Sequence, residues 1–289
     1  MDNNEPEGIL IEDQIDSQIL VKPAYPDLKT LFTLFFVLLF YMFIGGLIEG
    51  VFIVNTKQLH LPLLESFLTM TSYVIILLLT IRYAVKKSKQ VSSFNFSFNK
   101  IQGWLVPVVI VSTLALAVGL ERVSNLIPMS DATQQFFDRM IKKDPFSLIA
   151  VVIAAPILEE ILCRGIILKG LLKNYPPDKA ILISAIFFGA IHMNPWQALP
   201  AFCGGLFLGW VFYKTQSVIP GMIIHMTINT AASMFLFLPK NKQGFLELFG
   251  EPYYIVLCIF SALVFISGCM LIHRKALPVS SISPDNPNY

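Results

Sequence analysis

The chain has 289 residues, 55% of them hydrophobic and only 14% charged. A soluble domain carries about a quarter charged residues, so lipid rather than water solvates most of this surface, and a net charge of +2 gives no footing for nucleic acid. Cys163, Cys203, Cys258 and Cys269 lie in apolar runs without C-x-x-C spacing, which reads as small buried residues rather than a metal or disulfide set.

Residues 1–27 are polar and acidic, with Asp2, Glu5, Glu7, Glu12, Asp13 and Asp16, and read as a flexible tail with a short amphipathic piece around 9–20. An acidic start and a late first apolar run argue against a cleavable signal peptide. A helix needs about 20 apolar residues to cross a hydrocarbon core. Runs that approach or meet this length fall at 30–54, 62–85, 104–121, 146–172, 179–194, 197–214, 218–238 and 253–272. Backbone in lipid must satisfy its own hydrogen bonds, so each run is helical. The fold class is therefore all-α, a polytopic integral membrane protein of about eight transmembrane helices. The fifth and sixth runs are short and separated only by Asn194-Pro195-Trp196, which suggests a tight helical hairpin. The chain divides into the tail, N-terminal membrane helices at 28–121, an external loop or short helix at 122–145, a four-helix core at 146–238, a last membrane helix within 239–275 and a disordered tail at 276–289. Within 122–145, Phe136, Phe137, Met140 and Ile141 recur at helical spacing.

Lysine and arginine set the expected orientation. Arg82, Lys86, Lys87, Lys89 and Lys100 follow the second run, and Arg164, Lys169, Lys173, Lys179, Lys214, Arg274 and Lys275 fall on the same side. The opposite loops are mixed in charge. Both termini are expected on the cytoplasmic side of the membrane, with the polar residues of the core opening to that side.

Ionisable residues inside the spans carry the chemistry. Each costs about 2.5–3.5 kcal/mol or more at the bilayer centre, so a cluster needs a reason. The fourth run holds Glu159, Glu160 and Arg164, the fifth ends on Phe188 and His192, and the seventh holds His225 and Asn229. Glu160 and Arg164 stand four apart on one helix face and can pair. Glu159 points about 100° away and is left for other work. His225 and Asn229 share a face, as do Phe188 and His192. Counting residues from the cytoplasmic ends leaves His225 the shallowest of the group, unless the fourth helix projects. An isolated Glu-Arg pair is often a folding staple, and an isolated histidine a hydrogen-bond partner. Two histidines on separate helices beside a spare carboxylate favour a site. His60 and His273 lie at span ends and read as structural, while Glu49 and Glu65 flank an external loop and read as interfacial, Glu49 being deep enough for a minor candidate.

Glu159-Glu160-x-x-x-Arg164, Phe188-x-x-x-His192 and His225-x-x-x-Asn229, in this order on successive apolar runs, resemble the motifs of the CPBP family, the CAAX proteases and bacteriocin-processing enzymes also called the Abi family. The resemblance covers about 146–238 and departs at no motif position. It implies an eight-span intramembrane peptidase acting on a membrane-associated or peptide substrate. Eukaryotic members remove the last three residues of prenylated CAAX proteins; the acidic tail and the compact length here suggest a bacterial member, set in the inner membrane, for which prenylated substrates are not expected. Two schemes fit. In one, Glu159 is the general base, His192 holds the water, His225 and Asn229 donate to the oxyanion, and Glu160 pairs with Arg164. In the other, a divalent ion such as zinc is held by His192, His225 and one glutamate, Glu160 being the candidate, with the other glutamate as base. A non-catalytic binding or immunity protein using the same cavity is the alternative from another class, and a proton-coupled transporter a third, though no internal repeat is visible.

Overall fold

A computed structural model describes residues 23–58, 61–91, 93–128, 130 and 142–276. The tail through residue 22, His60, the helical pattern at Phe136, Phe137, Met140 and Ile141, and the C-terminal tail from 277 lie outside the described residues.

Every regular element among the described residues is helical. The long helices are α1 (Leu28–Gln58), α2 (Pro62–Lys89), α3 (Leu105–Ser124), α4 (Pro145–Asn174), α5 (Pro177–Ala190), α6 (Pro195–Thr215) and α7 (Val218–Phe235). A short α8 (Phe245–Phe249) then leads into α9 (Glu251–Lys275). Six of them, α1, α2, α3, α4, α7 and α9, are long and apolar enough to cross a membrane. Bulky apolar side chains such as Phe32, Phe36, Phe43, Ile259 and Phe260 stand outward, an exposure that only a lipid environment makes favourable. The chain is thus a polytopic integral membrane protein. The two remaining helices form the hairpin expected from Asn194-Pro195. At 14 residues, α5 is about 21 Å long, short of a hydrocarbon core of about 30 Å. The longer α6 carries Pro200, Gly204, Gly205 and Gly209 and turns much of its surface inward.

Local sequence explains where the helices start. Asp144 caps α4, accepting from Phe146 N at 3.0 Å and Ser147 N at 3.1 Å ahead of Pro145. Asn194 caps α6 by accepting from Gln197 N at 2.9 Å, after Met193 turns the chain through φ 55°. Ser217 caps α7 through Ile219 N at 3.3 Å. Each has the short polar side chain that an N-cap requires. The extended segment after α2 pins the start of α7: Val218 N donates to Ser97 O at 2.8 Å and Ser217 Oγ to Asn99 O at 2.7 Å.

Two features were not foreseen. Residues 23–27, expected as part of a flexible tail, pack on the end of α4. Asn174 Nδ2 donates to Ala24 O at 2.7 Å, Ala24 N donates to Asn174 Oδ1 at 2.9 Å, and Tyr25 is buried. Gly170 permits this approach, since a Cβ there would lie 2.3 Å from Tyr25 O. Second, α4 is not uniform. It changes from α to π winding at Ala150–Ala154, returns to α over Ala155–Leu162, and is π again over Cys163–Leu168. Hydrophobic periodicity is blind to a one-residue change of register.

Candidate active site

The turn of α4 between its two π segments carries Glu159 and Glu160 halfway along the helix, about 20 Å from either end at about 1.5 Å per residue. Helix α7 runs antiparallel beside it. Val218 meets Gly165, Gly221 meets Glu160, His225 meets both glutamates, and Asn229 meets Val151. The start of α7 therefore lies well inside the end of α4, whose last turns project past it. His225 comes level with Glu159 for this reason, which removes the depth difference expected from residue counting.

Glu160 and Arg164 are both fully buried, and Arg164 Nη1 lies 2.6 Å from Glu160 Oε1. Arg164 Nη2 also donates to Gly205 O at 3.2 Å, and its guanidinium stacks 4.5 Å from the centre of the Phe188 ring. These contacts share one positive charge among a carboxylate, a carbonyl and an aromatic face, which makes its burial tolerable. Gly221 belongs to the same arrangement: a Cβ there would sit 2.6 Å from Glu160 Oε2.

Glu159 is not the isolated carboxylate that helix projection suggested. Tyr73 on α2 donates its hydroxyl to Glu159 Oε1 in a short hydrogen bond. The other oxygen, Oε2, has no hydrogen-bond partner and faces His225 Nε2 at 4.0 Å. His225 Nδ1 stands 3.4 Å from Glu160 Oε1, within ion-pair reach but not aligned as a hydrogen bond. One imidazole thus bridges the two carboxylates. His192 Nδ1 lies 2.8 Å from Phe188 O. A carbonyl only accepts, so Nδ1 carries the proton and Nε2 of the neutral ring keeps its lone pair. The Phe188 ring packs edge-on between the histidines, 5.3 Å from His192 and 5.5 Å from His225.

The structure thus brings Glu159, Glu160, Arg164 and His225 into direct contact and attaches His192 through Phe188. Asn229 stands apart, its Nδ2 donating to Val151 O at 2.8 Å rather than pointing into the cluster. For a metal, the orphaned Glu159 Oε2 is a suitable donor, yet no group of three His, Cys, Asp or Glu side chains among the described residues is arranged to hold an ion. Glu49 accepts from Thr69 at 2.6 Å and lines a groove of about 250 Å³ between α1 and α2 that contains none of these residues. Glu65 pairs with Lys142 at 2.9 Å. All four cysteines are unpaired. Tyr73 is the participant that sequence reasoning passed over, and Phe188, read there only as a motif residue, proves to be the ring that joins Arg164 and both histidines. Phe188 was visible in the spacing to His192, and a tyrosine inside a span needs a partner for its hydroxyl.

Residues 142–231 match the family described as type II CAAX prenyl endopeptidase Rce1-like. The chain is also similar to the Bacillus subtilis (strain 168) protein named "Putative membrane peptidase YdiL", with 31% identity over 101 residues. That stretch is 35% of this chain and 41% of the relative, so the match spans less than half of either protein. No solved structure matches. The family match holds α4 through most of α7 and all three motifs.

Proposed function

We propose that the protein is a CAAX-protease-like intramembrane endopeptidase, with Glu159 as general base. The observation that carries this reading is the buried cluster on α4 and α7, in which one oxygen of Glu159 is oriented by Tyr73 while the other is unpartnered and faces His225. A carboxylate kept in apolar surroundings with one open oxygen is poised to take a proton from water.

Peptide hydrolysis follows from these groups. The Nε2 lone pair of His192 holds the attacking water, and Glu159 removes its proton as oxygen adds to the scissile carbonyl carbon. His225 donates to the oxyanion that forms. The same proton then passes from Glu159 to the amide nitrogen as the C–N bond breaks. Glu160 and Arg164 hold the turn of α4 and the Phe188 ring in place. Asn229, first expected among the oxyanion donors, has one amide proton engaged by Val151, so His225 is the nearer donor. The substrate is a membrane-associated protein or peptide reaching the site from the basic side, where Lys86, Lys87, Lys89 and Lys173 lie. We place that side in the cytoplasm.

The test is cleavage of a membrane-tethered peptide library by purified protein in detergent or liposomes. Glu159→Gln should fold normally and lose about 10²–10⁴ in rate, and His192→Ala or His225→Ala added to it should cost little more. Wild-type turnover retained by Glu159→Gln would overturn the reading in favour of a binding protein. Loss of wild-type turnover on chelation, restored by zinc, would replace the base mechanism with the metal scheme. Outside labelling of Ser130→Cys but not Ser93→Cys tests the orientation, and the reverse pattern would invert it.

A further inference from the structure

The π segment before the glutamates leaves a specific defect in α4. Ala155 N donates to Ala150 O, five residues back. In that ladder the next donor, to Val151 O, would be the N–H of residue 156, which is Pro156 and has none. Val151 O has therefore lost its donor in the ladder, inside a span where an unpaired carbonyl is costly. Asn229 Nδ2 fills the place at 2.8 Å from α7. The repair lies two turns from Glu159, at the point where the winding returns to α and fixes which way Glu159 and Glu160 face.

We propose that Asn229 is a positioning residue: it completes the Val151 carbonyl orphaned by the π turn and Pro156, and so locks the rotation of the Glu159–Glu160 turn against α7. The inference deepens the protease reading and rests on it for its effect on turnover. A proline that removes a donor and an asparagine on another helix that replaces it form one unit. Neither should be needed without the other.

The unit is tested by a double-mutant cycle read in both thermal stability and peptide turnover. Asn229→Ala should lower the unfolding midpoint and reduce kcat by about tenfold or more, as expected for a stranded acceptor, with little change in KM. In the Pro156→Ala background residue 156 has an N–H that can reach Val151 O in the existing register. There, Asn229→Ala should lose most of both effects. A drop in turnover of the same size in both backgrounds, with stability unchanged in each, would overturn the proposal and make Asn229 a catalytic donor. Equal stability losses in both backgrounds would overturn it as well, since the carbonyl would not be the link. If Asn229→Ala yields no folded protein, recovery of folded protein by added Pro156→Ala is the same test. The stability arm is independent of any cleavage, so an inactive wild type would sink the protease reading while the cycle still decides this one.

Discussion

Helices α4 and α9 have much the same outline in the sequence, long apolar runs able to cross a membrane, and they do opposite things. On α9, Val256, Ile259, Phe260, Leu263 and Ile266 are all more than half exposed and few residues are buried. On α4, Leu162, Cys163, Ile167 and Leu168 are fully enclosed, and so are Glu160 and Arg164. Helix α9 turns this exposed face to lipid and keeps a uniform winding. Helix α4 meets α2, α5, α6 and α7 and leaves α winding twice. Bilayer lipid tolerates neither an unpaired charge nor an unpaired carbonyl. The difference shows where polar chemistry can reside in such a protein: only on the helix whose neighbours supply Tyr73, Gly205, Phe188, His225 and Asn229 as partners.

The comparison would break most plainly at Arg164. Arg164→Ala leaves the Glu160 carboxylate fully buried without its cation and should cost about 3–5 kcal/mol of stability. Combining Glu160→Leu with Arg164→Met should recover much of that stability, because neither charge remains, while turnover stays lost. Thermal unfolding in detergent checks both, and a stable Arg164→Ala protein would mean that the pair does not hold the core.

Tyr73→Phe probes the partner supplied by α2. It keeps the ring but removes the donor to Glu159. Hydrogen bonds to charged groups contribute about 1.5–3 kcal/mol, so turnover should fall about ten- to a hundred-fold with folding intact. Unchanged kcat would show that this contact does not orient the base.

A smaller effect is expected at the α4 entrance. Burial raises the Asp144 carboxyl, but hydrogen bonds from the Ser147 side chain and backbone, from Ser66 and from Phe146 N outweigh it and hold the group below its ordinary value. A depressed folded value contributes stability above the unfolded carboxylate value, lost as pH falls through the folded one. Asp144→Ala should cost about 1 kcal/mol at neutral pH, and the gap to wild type should narrow in acid. A gap independent of pH would show that the cap works without its charge. The least consequence is expected on α9, where Phe260→Ala should stay within about 0.5 kcal/mol. A large loss there would mean that this face packs against protein rather than lipid.

Composition and apolar run length determined a great deal without any tertiary information. They fixed an all-helical membrane protein and brought the start of each long helix to within two residues of its place; Pro62, Asp144-Pro145, Asn194-Pro195 and Ser217 are local signals whose physics acts over one turn. The pairing of Glu160 with Arg164 was legible for the same reason, since i,i+4 spacing is a property of a single helix. The grouping of Glu159, His192 and His225 was legible as ionisable residues that lipid would otherwise exclude. Contacts between helices decided the rest. Tyr73 reaches Glu159 from α2, and its own run shows that the hydroxyl needs a partner without showing which. His225 came level with Glu159 only because α7 starts against Gly165 rather than at the end of α4. Asn229 turned from the cluster to Val151 only because a π turn shifted the register of α4 and Pro156 could not complete it. Register and depth are set by which helices pack and how far one slides along another, and a one-dimensional pattern of apolar residues is unchanged by either.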